Sequence, residues 1–270
     1  MKMEKRIRIC ALASGSSGNA YYIEYGNNAI LIDAGVSYNP ANRLTKKPML
    51  SMSQRAFKCG VSLDKVSAIF ITHEHSDHVR GLKGFCKQHP RVKTYMTAGT
   101  ARKTKPYYMP NNTVNIIECG NTITIDNFKI HCFAKPHDVL EPCSFRIEIG
   151  DTNIGVFTDI GKVTDDLKQH FSLCKVVFLE SNYDDVMLAN GPYPKKLRER
   201  VASDEGHLSN KQAHDLLAET LPECLELIIL SHISENNNTI EKALNSFEDF
   251  KDRYTITAVK RNEVGEVFTL

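Results

Sequence analysis

Short apolar runs separated by turn residues predict β-strands in the first part of the chain. Runs at residues 7–12, 20–25 and 28–32 follow one another, with the turn SGSSGN between the first two, which predicts a meander of three strands. A further apolar run at residues 66–72 ends at the sequence HEHSDH and predicts a buried strand. We therefore expect these histidines to lie on a loop between a strand and a helix.

The remainder of the chain mixes predicted strands and helices. The predicted strands lie at residues 114–117, 122–133 with a turn at Asp126 and Asn127, 145–149, 153–158, 175–179 and 225–230. The predicted helices lie at residues 53–60, 79–88, 210–220 and 239–252. Because strands and helices do not alternate strictly, the pattern favours antiparallel or mixed sheets with helices outside. No repeat or low-complexity linker interrupts it, so we expect a single domain over residues 1–270.

The composition of the 270 residues is that of a folded globular protein. Hydrophobic residues make up 41% and charged residues 24%, which excludes a disordered or fibrous chain. Apolar runs such as residues 227–230 are far shorter than the roughly 18 residues of a membrane helix, so no membrane association is expected. The eight cysteines form no CxxC pair, and we find no pattern of an export signal at the start of the sequence. We therefore expect free thiols in a cytoplasmic protein.

Positive charge is concentrated in particular segments although the net charge is only +2. No acidic residue occurs from Val79 to Ile117 or from Asn39 to Lys58. These segments have two possible interpretations: ordinary solvated surface, or a surface that binds the phosphates of a polyanion. The cations of the longer segment are Arg80, Lys83, Lys87, Arg91, Lys93, Arg102, Lys103 and Lys105, and a third cluster contains Lys195, Lys196, Arg198 and Arg200.

The sequence HEHSDH is the strongest chemical signal in the chain. It places three imidazoles and two carboxylates within residues 73–78, and such donors suit a borderline divalent ion such as zinc. Further donors stand at the ends of other predicted strands, namely His137, Asp159 and His232. The alternative, a solvated histidine-rich turn, does not account for these additional donors. The sequence therefore predicts a metal site.

Taken in order, LIDAG, THEHSDH, His137, Asp159 and His232 resemble the five motifs of the metallo-β-lactamase superfamily. The segments ALASGSSGNAYYIE, ESNYD, GPYP, GHLSN and SHISENNN are similar to the YycJ/WalJ-like group of single-domain enzymes, regarded as 5′-to-3′ exonucleases acting on DNA. The resemblance implies an α+β fold, a four-layer αββα sandwich, with two divalent metal ions. Zinc suits the histidine-rich donors, and manganese, iron and nickel are alternatives.

The resemblance also implies a role for each donor residue. His73, His75 and His137 would hold one ion, Asp77, His78 and His232 the other, and Asp159 would bridge the two. Asp33 would orient the histidine loop by hydrogen bonding, its alternative role being that of a turn residue before Gly35.

Two neighbouring divalent ions activate a bridging water as hydroxide and bind the phosphoryl oxygens of a phosphodiester. We expect Asp77 to accept the proton of the attacking water. His207 in GHLSN resembles the histidine motif of RNase Z-type phosphodiesterases and would assist the leaving oxygen or hold the phosphate. Otherwise His207 begins a helix that Ser209 or Asn210 caps.

Substrate contacts are predicted around this site. Ser14, Ser16, Ser17 and Asn19 could donate to phosphate, although a tight hairpin turn explains the same residues; Ser209 and Asn210 are further candidates for substrate contact. Tyr95, Tyr107 and Tyr108 are either base-stacking or buried tyrosines. Residues 36–52 form a long basic segment that could be a flap. The chain lacks the clamp domain of the β-CASP nucleases.

Two other classes of function compete with a DNA exonuclease. A thioesterase of the glyoxalase II sort, or a lactonase, would use the same metal ligands, and only the basic segments argue against it. A non-catalytic nucleic-acid-binding module would not need a complete ligand set. We therefore expect a cytoplasmic metal-dependent hydrolase that acts on nucleic acid, with DNA as the first candidate substrate.

Overall fold

A computed structural model of the protein describes residues 6–39, 49–104, 114–261 and 263–270. The chain divides into two compact units. The first unit comprises Met1–Glu118, Ile125–Asn127 and Asn262–Leu270, and the second comprises Cys119–Thr124 and Phe128–Arg261. Lys105, Tyr107, Tyr108 and residues 40–48 of the predicted flap lie outside the described residues.

The first unit contains a mixed seven-stranded sheet. Its strands are β1 (Ile7–Ala13), β2 (Ala20–Tyr25), β3 (Asn28–Ile32), β4 (Val66–Phe70), β5 (Lys93–Thr97), β6 (Val114–Ile117) and the last strand of the chain, β14 (Phe268–Thr269), in the order β14-β1-β2-β3-β4-β5-β6. Strands β1, β2 and β3 pair antiparallel, which confirms the predicted meander. Strands β3 to β6 run parallel, so their carboxyl ends share one edge of the sheet.

Helices cover one face of this sheet. They are α1 (Met52–Cys59), α2 (Ser76–Val79), α3 (Leu82–Gln88) and α4 (Ala98–Thr104). Leu31 and Ile69 of the strands pack with Val79, Leu82 and Phe85 of the helices in one buried core. The helix predicted over residues 79–88 is in the structure mainly α3, which begins at Leu82, and the shorter α2 before it includes His78.

The second unit repeats the same arrangement. Its strands are β7 (Thr122–Ile125), β8 (Phe128–Ala134), β9 (Cys143–Ile149), β10 (Thr152–Phe157), β11 (Val176–Glu180), β12 (Leu227–Ser231) and β13 (Thr255–Ala258), in the order β13-β12-β11-β10-β9-β8-β7. The turn predicted at Asp126 separates β7 from β8, as expected. Strands β8, β9 and β10 pair antiparallel, whereas β10 to β13 run parallel.

Five helices accompany the second sheet: α5 (Asp165–Ser172), α6 (Asp185–Asn190), α7 (Lys195–Val201), α8 (Asn210–Thr220) and α9 (Ile240–Asn245). Phe171, Leu216 and Phe247 of these helices pack with Val177 and Ile228 of the strands. The helix predicted over residues 239–252 ends early at Asn245, and a 3-10 turn at Glu248–Phe250 follows it.

Two mixed seven-stranded sheets with helices packed on them agree with the predicted α+β arrangement. Among the described residues, no helix is long and apolar enough to cross a membrane. All eight cysteines lie in the described part of the chain and are thiols. The expectation of one domain over residues 1–270 stays a prediction.

Candidate metal centre

In the first unit, the candidate residues Asp33 and His73 follow two parallel neighbours, β3 and β4. Because parallel strands end at a common edge, their following loops meet there. The backbone N–H of Asp33 donates to the carbonyl of Phe70 at 2.8 Å, which fixes Asp33 beside the end of β4. Asp33 has a φ of 64°, an unusual backbone conformation for a residue other than glycine.

The Asp33 carboxylate is fully buried and accepts three hydrogen bonds. It accepts from the backbone N–H of Thr72 at 2.8 Å, from the Thr72 hydroxyl at 2.9 Å and from Nδ1 of His78 at 2.7 Å. Because Nδ1 donates to a carboxylate, the lone pair of the neutral His78 ring lies on Nε2. Histidines that bind metals commonly have this arrangement.

Two further histidines direct ring nitrogens at each other. Nε2 of His73 lies 3.1 Å from Nδ1 of His75. Two imidazoles bound to one zinc ion at about 2.0–2.1 Å with near-tetrahedral angles have nitrogens roughly 3.1–3.4 Å apart. The spacing of this pair therefore fits two ligands of a single ion. His73 is buried and His75 is half-buried.

Close backbone contacts hold the histidine loop in place. The N–H of Asn19 donates to the carbonyl of Asp77 at 2.7 Å, and the N–H of Gly35 donates to the carbonyl of Asn19 at 2.8 Å. A Cβ atom at Gly35 would lie 1.5 Å from the Asp77 oxygen, so only glycine fits there. The Asp77 side chain is 19% exposed.

The serine turn, residues 14–19, packs against this loop. Asn19 is fully buried, and its amide nitrogen lies 3.0 Å from Nε2 of His78, so Asn19 supports the loop from within. Ser14 is also buried, and its hydroxyl bonds to that of Tyr21 at 2.9 Å. Ser16 is exposed and Ser17 is half-buried. A phosphate-binding role of the serine turn stays a prediction.

In the second unit, three acidic or imidazole groups lie at the ends of three parallel strands. Asp159 follows β10, Glu180 ends β11 and His232 follows β12. Asp159 and His232 have φ values of 57° and 54°, a left-handed conformation that occurs preferentially at functional sites. One donor atom from each of Asp159, Glu180, His207 and His232 lies within 4.8 Å of the others.

Glu180 is the centre of this group, and the sequence interpretation assigned it no role. Its buried carboxylate accepts from the backbone N–H of Ile160 at 2.8 Å, from Nδ1 of His207 at 2.8 Å and from Nδ1 of His232 at 3.0 Å. Burial raises the pKa of Glu180, but the charge of His207 and the two imidazole hydrogen bonds outweigh burial and lower the pKa to about 2. Two sequence signals mark Glu180: it ends the apolar run VVFLE, and it begins the segment ESNYD.

Asp159 faces two of the predicted histidine ligands. Its Oδ1 lies 3.4 Å from Nε2 of His232 and 4.0 Å from Nε2 of His137. Nδ1 of His137 donates to the carbonyl of Gly206 at 3.0 Å, so this ring, too, presents Nε2 toward the carboxylate. A carboxylate between two such nitrogens is placed as a shared ligand would be.

The motif GHLSN contributes one half-buried histidine and one helix cap. The side chain of His207 is 19% exposed, and its ring stacks on that of His232 with centroids 5.2 Å apart. Ser209 caps α8 with a capping box, which confirms the predicted cap. Asn210 is buried, and its side-chain oxygen accepts from the Ser181 hydroxyl at 2.6 Å. Both side chains thus have intramolecular partners, and their contact with substrate stays a prediction.

Tyr95 is buried and stacks on Phe70 with ring centroids 4.8 Å apart. Of the two roles considered for Tyr95, the structure favours that of a buried tyrosine over that of a base-stacking one.

The donors in both units have the chemistry of a metal site. Imidazole nitrogens and carboxylate oxygens suit zinc and other borderline divalent ions. The Nδ1 atoms of His78, His137 and His232 each face a carboxylate or a carbonyl, which fixes the tautomer whose lone pair lies on Nε2. The buried histidines and carboxylates of each unit are therefore candidate metal ligands.

Comparison with known proteins agrees with this chemistry. Residues 28–233 match the family described as the Beta-lactamase superfamily domain. Exodeoxyribonuclease YycJ of Bacillus anthracis is 29% identical over 98% of this chain and 94% of its own. Exodeoxyribonuclease WalJ of Streptococcus pneumoniae serotype 2 (strain D39) is 32% identical over 86% of this chain and 83% of its own.

The solved structure of the metallo-β-lactamase fold protein YhfI from Bacillus subtilis superimposes with a TM-score of 0.73 at 16% identity, covering 99% of this chain and 100% of that protein. At this identity the likeness shows the fold alone, and it confirms the predicted metallo-β-lactamase fold. The chain therefore belongs to the metallo-β-lactamase superfamily, where its relatives include the YycJ and WalJ exodeoxyribonucleases.

Proposed function

We propose that this protein is a dinuclear metal-dependent exonuclease that hydrolyses the phosphodiester bonds of DNA from the 5′ end. The observation that carries the proposal is the set of buried histidines whose Nδ1 atoms face carboxylate or carbonyl oxygens, as in metal ligands. The names of two relatives that align over most of the chain support DNA as the substrate.

The proposed ligands follow the family resemblance. One ion would be held by His73, His75 and His137 and the other by Asp77, His78 and His232, with Asp159 shared. Zinc is the first candidate, and manganese, iron and nickel suit the same donors. When bound, two such ions lower the pKa of a water and neutralise the phosphoryl oxygens.

The chain's own residues would then handle the proton and orient the rings. Asp77 is part-exposed, so its carboxylate can accept the proton of the attacking water. His207 reaches solvent, and its Nδ1 lies 2.8 Å from a Glu180 oxygen. In its protonated form the ring keeps Nδ1–H on Glu180 and has a proton on Nε2, which it can donate to the leaving oxygen or to a phosphate. Asp33 and Glu180 act through the histidines that they hold in position.

The test is degradation of 5′-phosphorylated single-stranded and double-stranded DNA and RNA with zinc or manganese added. The Asp159→Ala protein serves as the control, and a glutathione thioester and a lactone are assayed alongside. Metal-dependent release of mononucleotides from DNA by the parent protein alone is the expected result. Intact polymers together with thioester or lactone hydrolysis would replace the proposal with a small-molecule hydrolase. Absence of bound metal in the purified parent, with no activity restored by added metal, would favour a non-catalytic binding module.

A further inference from the structure

Three cations of the first unit lie along one face of the helices that follow the histidine loop. Arg80, Lys83 and Lys87, here called the basic stripe, are all exposed. The backbone at Arg80 and Gly81 is right-handed helical, so α2 and α3 form a nearly continuous helical path. With 3.6 residues per turn, these three side chains fall within about 60° of one another around the helix. The opposite face is buried in the core.

The local charges of the basic stripe oppose helix stability. Lys83 and Lys87 are like charges four residues apart, which destabilises a helix. Lys83 lies in the first turn of α3, where a positive charge interacts unfavourably with the helix dipole, and that turn has no acidic residue.

The basic stripe also differs from other lysines of the protein. Within residues 6–39, 49–104, 114–261 and 263–270, no carboxylate pairs with Arg80, Lys83 or Lys87. By contrast, surface lysines of the second unit pair with glutamates: Lys168 with Glu219, Lys175 with Glu226 and Lys251 with Glu248. Fold stability therefore does not explain the basic stripe.

The basic stripe begins beside the candidate metal centre. Arg80 follows His78 by two residues, and its Nη1 donates to the carbonyl of Ser17 at 3.2 Å. Ser17 belongs to the serine turn, whose Asn19 bonds to the carbonyl of Asp77. From Arg80 to Lys87 the stripe extends about 10 Å along the helix axis, at 1.5 Å per residue. It thus leads away from the histidine loop over the surface of the first unit.

We propose that the basic stripe binds the phosphate backbone of the nucleic-acid strand whose end is hydrolysed at the metal centre. This inference rests on the proposed function and assigns the polymer contact to particular residues. Its three cations can neutralise at most three phosphates of the strand. Contacts of lysine and arginine with phosphate position a strand without reading its sequence, so the enzyme would bind strands of any sequence through this surface.

The experiment measures binding directly, with cleavage prevented by the substrate rather than by a change in the metal centre. Fluorescence anisotropy is recorded with 3′-labelled phosphorothioate oligonucleotides of DNA and RNA over a range of salt concentrations. The triple variant Arg80→Gln, Lys83→Gln, Lys87→Gln is compared with the parent. The matched control is the triple variant Lys168→Gln, Lys175→Gln, Lys251→Gln. It removes the same number of positive charges, but from lysines that are ion-paired with glutamates. Circular dichroism establishes that each variant is folded.

We expect the stripe variant to bind single-stranded DNA about tenfold or more weakly at about 50 mM salt. Its slope of log affinity against log salt should fall by about 2, at about 0.7 for each phosphate that the variant no longer neutralises. The control should stay within about twofold of the parent. The single variant Lys87→Gln should reduce the slope by about 0.7 and gives a second test if the triple variant does not fold.

Equal affinity and slope for the stripe variant and its control would overturn the inference, even if the parent degrades DNA. A weakened stripe variant, with a parent that degrades no nucleic acid under any metal, would support the stripe and reject the exonuclease. Weakened binding of RNA alone would identify RNA as the bound strand and overturn the proposed DNA contact. The two proposals can therefore fail separately.

Discussion

The carboxylate of Asp33 lies 2.7 Å from Nδ1 of His78, and both side chains are fully buried. A buried carboxylate is stabilised only by hydrogen bonds and charge partners, and Asp33 has the backbone N–H and hydroxyl of Thr72 in addition to His78. Asp33 thus orients one predicted ligand while it fixes the start of the histidine loop.

Replacing Asp33 with asparagine should weaken metal binding without straining the backbone. Asparagine tolerates the left-handed conformation at this position, but its amide cannot accept all three hydrogen bonds. We expect metal affinity to fall about 10–100-fold and the free energy of unfolding to fall by about 1–3 kcal/mol. Chelator competition measures the first effect and urea denaturation the second.

Asp126→Asn is the matched control, because Asp126 has a φ of 52° and its exposed side chain accepts a hydrogen bond from the hydroxyl of Ser67. Its metal affinity should equal that of the parent. An Asp33→Asn protein that binds metal as tightly as this control would contradict the positioning role of Asp33.

His207→Ala should separate proton transfer from metal binding. If His207 donates to the leaving oxygen, kcat should fall about 10²–10⁴-fold while the metal content stays at the parent value. Steady-state kinetics on 5′-phosphorylated DNA and elemental analysis measure the two quantities. The matched control is His214→Ala, because His214 lies in α8 of the same unit and contacts only Asp215, Asp249 and neighbouring aromatic rings. Loss of metal in His207→Ala would instead place His207 among the ligands.

The parts of the fold with strong local patterns could be predicted from the sequence. Strands β2 and β3 match their predicted bounds, and so does α8, because apolar periodicity and a capping box mark them. Three short elements, β5, α4 and α7, were not predicted, because they have at most seven residues each and no clear apolar run or periodic signal.

The candidate site shows the same division. The histidines could be predicted because so many donors in six residues are rarely needed for packing. Glu180 could not, because its importance depends on β11 lying between β10 and β12, a relationship of the sheet and not of the local sequence. Nor does the sequence show that Asn19 is buried beneath the histidine loop.

His170 should make the stability of the second unit depend on pH. Burial, and then the positive charge of Arg146, lower the pKa of His170 from 6.5 to about 4. Between these values the unfolded chain binds a proton that the folded protein does not, so stability is full above about pH 6.5 and declines toward pH 4. Since the ring is half-buried, we expect a loss of about 1–2 kcal/mol.

Urea denaturation of the parent and of His170→Gln at several pH values tests this dependence. Glutamine keeps an acceptor for Nε of Arg146, which His170 contacts at 3.1 Å, but has no proton to bind. The difference in unfolding free energy between the two proteins should change by this amount from pH 7 to pH 4. A constant difference would show that His170 does not contribute to the pH dependence.

Gly35→Ala should remove the metal centre through backbone displacement alone. The added Cβ would lie 1.5 Å from the carbonyl oxygen of Asp77 and 2.7 Å from the nitrogen of Asn19, and neither backbone atom can move without displacing the histidine loop. We expect more than about 4 kcal/mol of destabilisation, or an insoluble protein, because rotation of a side chain cannot relieve overlap with backbone atoms.

Gly60→Ala is the control: its Cβ meets nothing within 4 Å, but its φ of 62° imposes left-handed strain of about 1–2 kcal/mol. Urea denaturation and metal analysis of both variants separate the effect of steric overlap, expected in Gly35→Ala, from that of backbone strain, expected in Gly60→Ala. The contrary result is a soluble Gly35→Ala protein that keeps its metal and loses no more stability than Gly60→Ala. It would show that the histidine loop can shift without cost. The close contact of Asn19, Gly35 and Asp77 would then not be what holds the ligands in place.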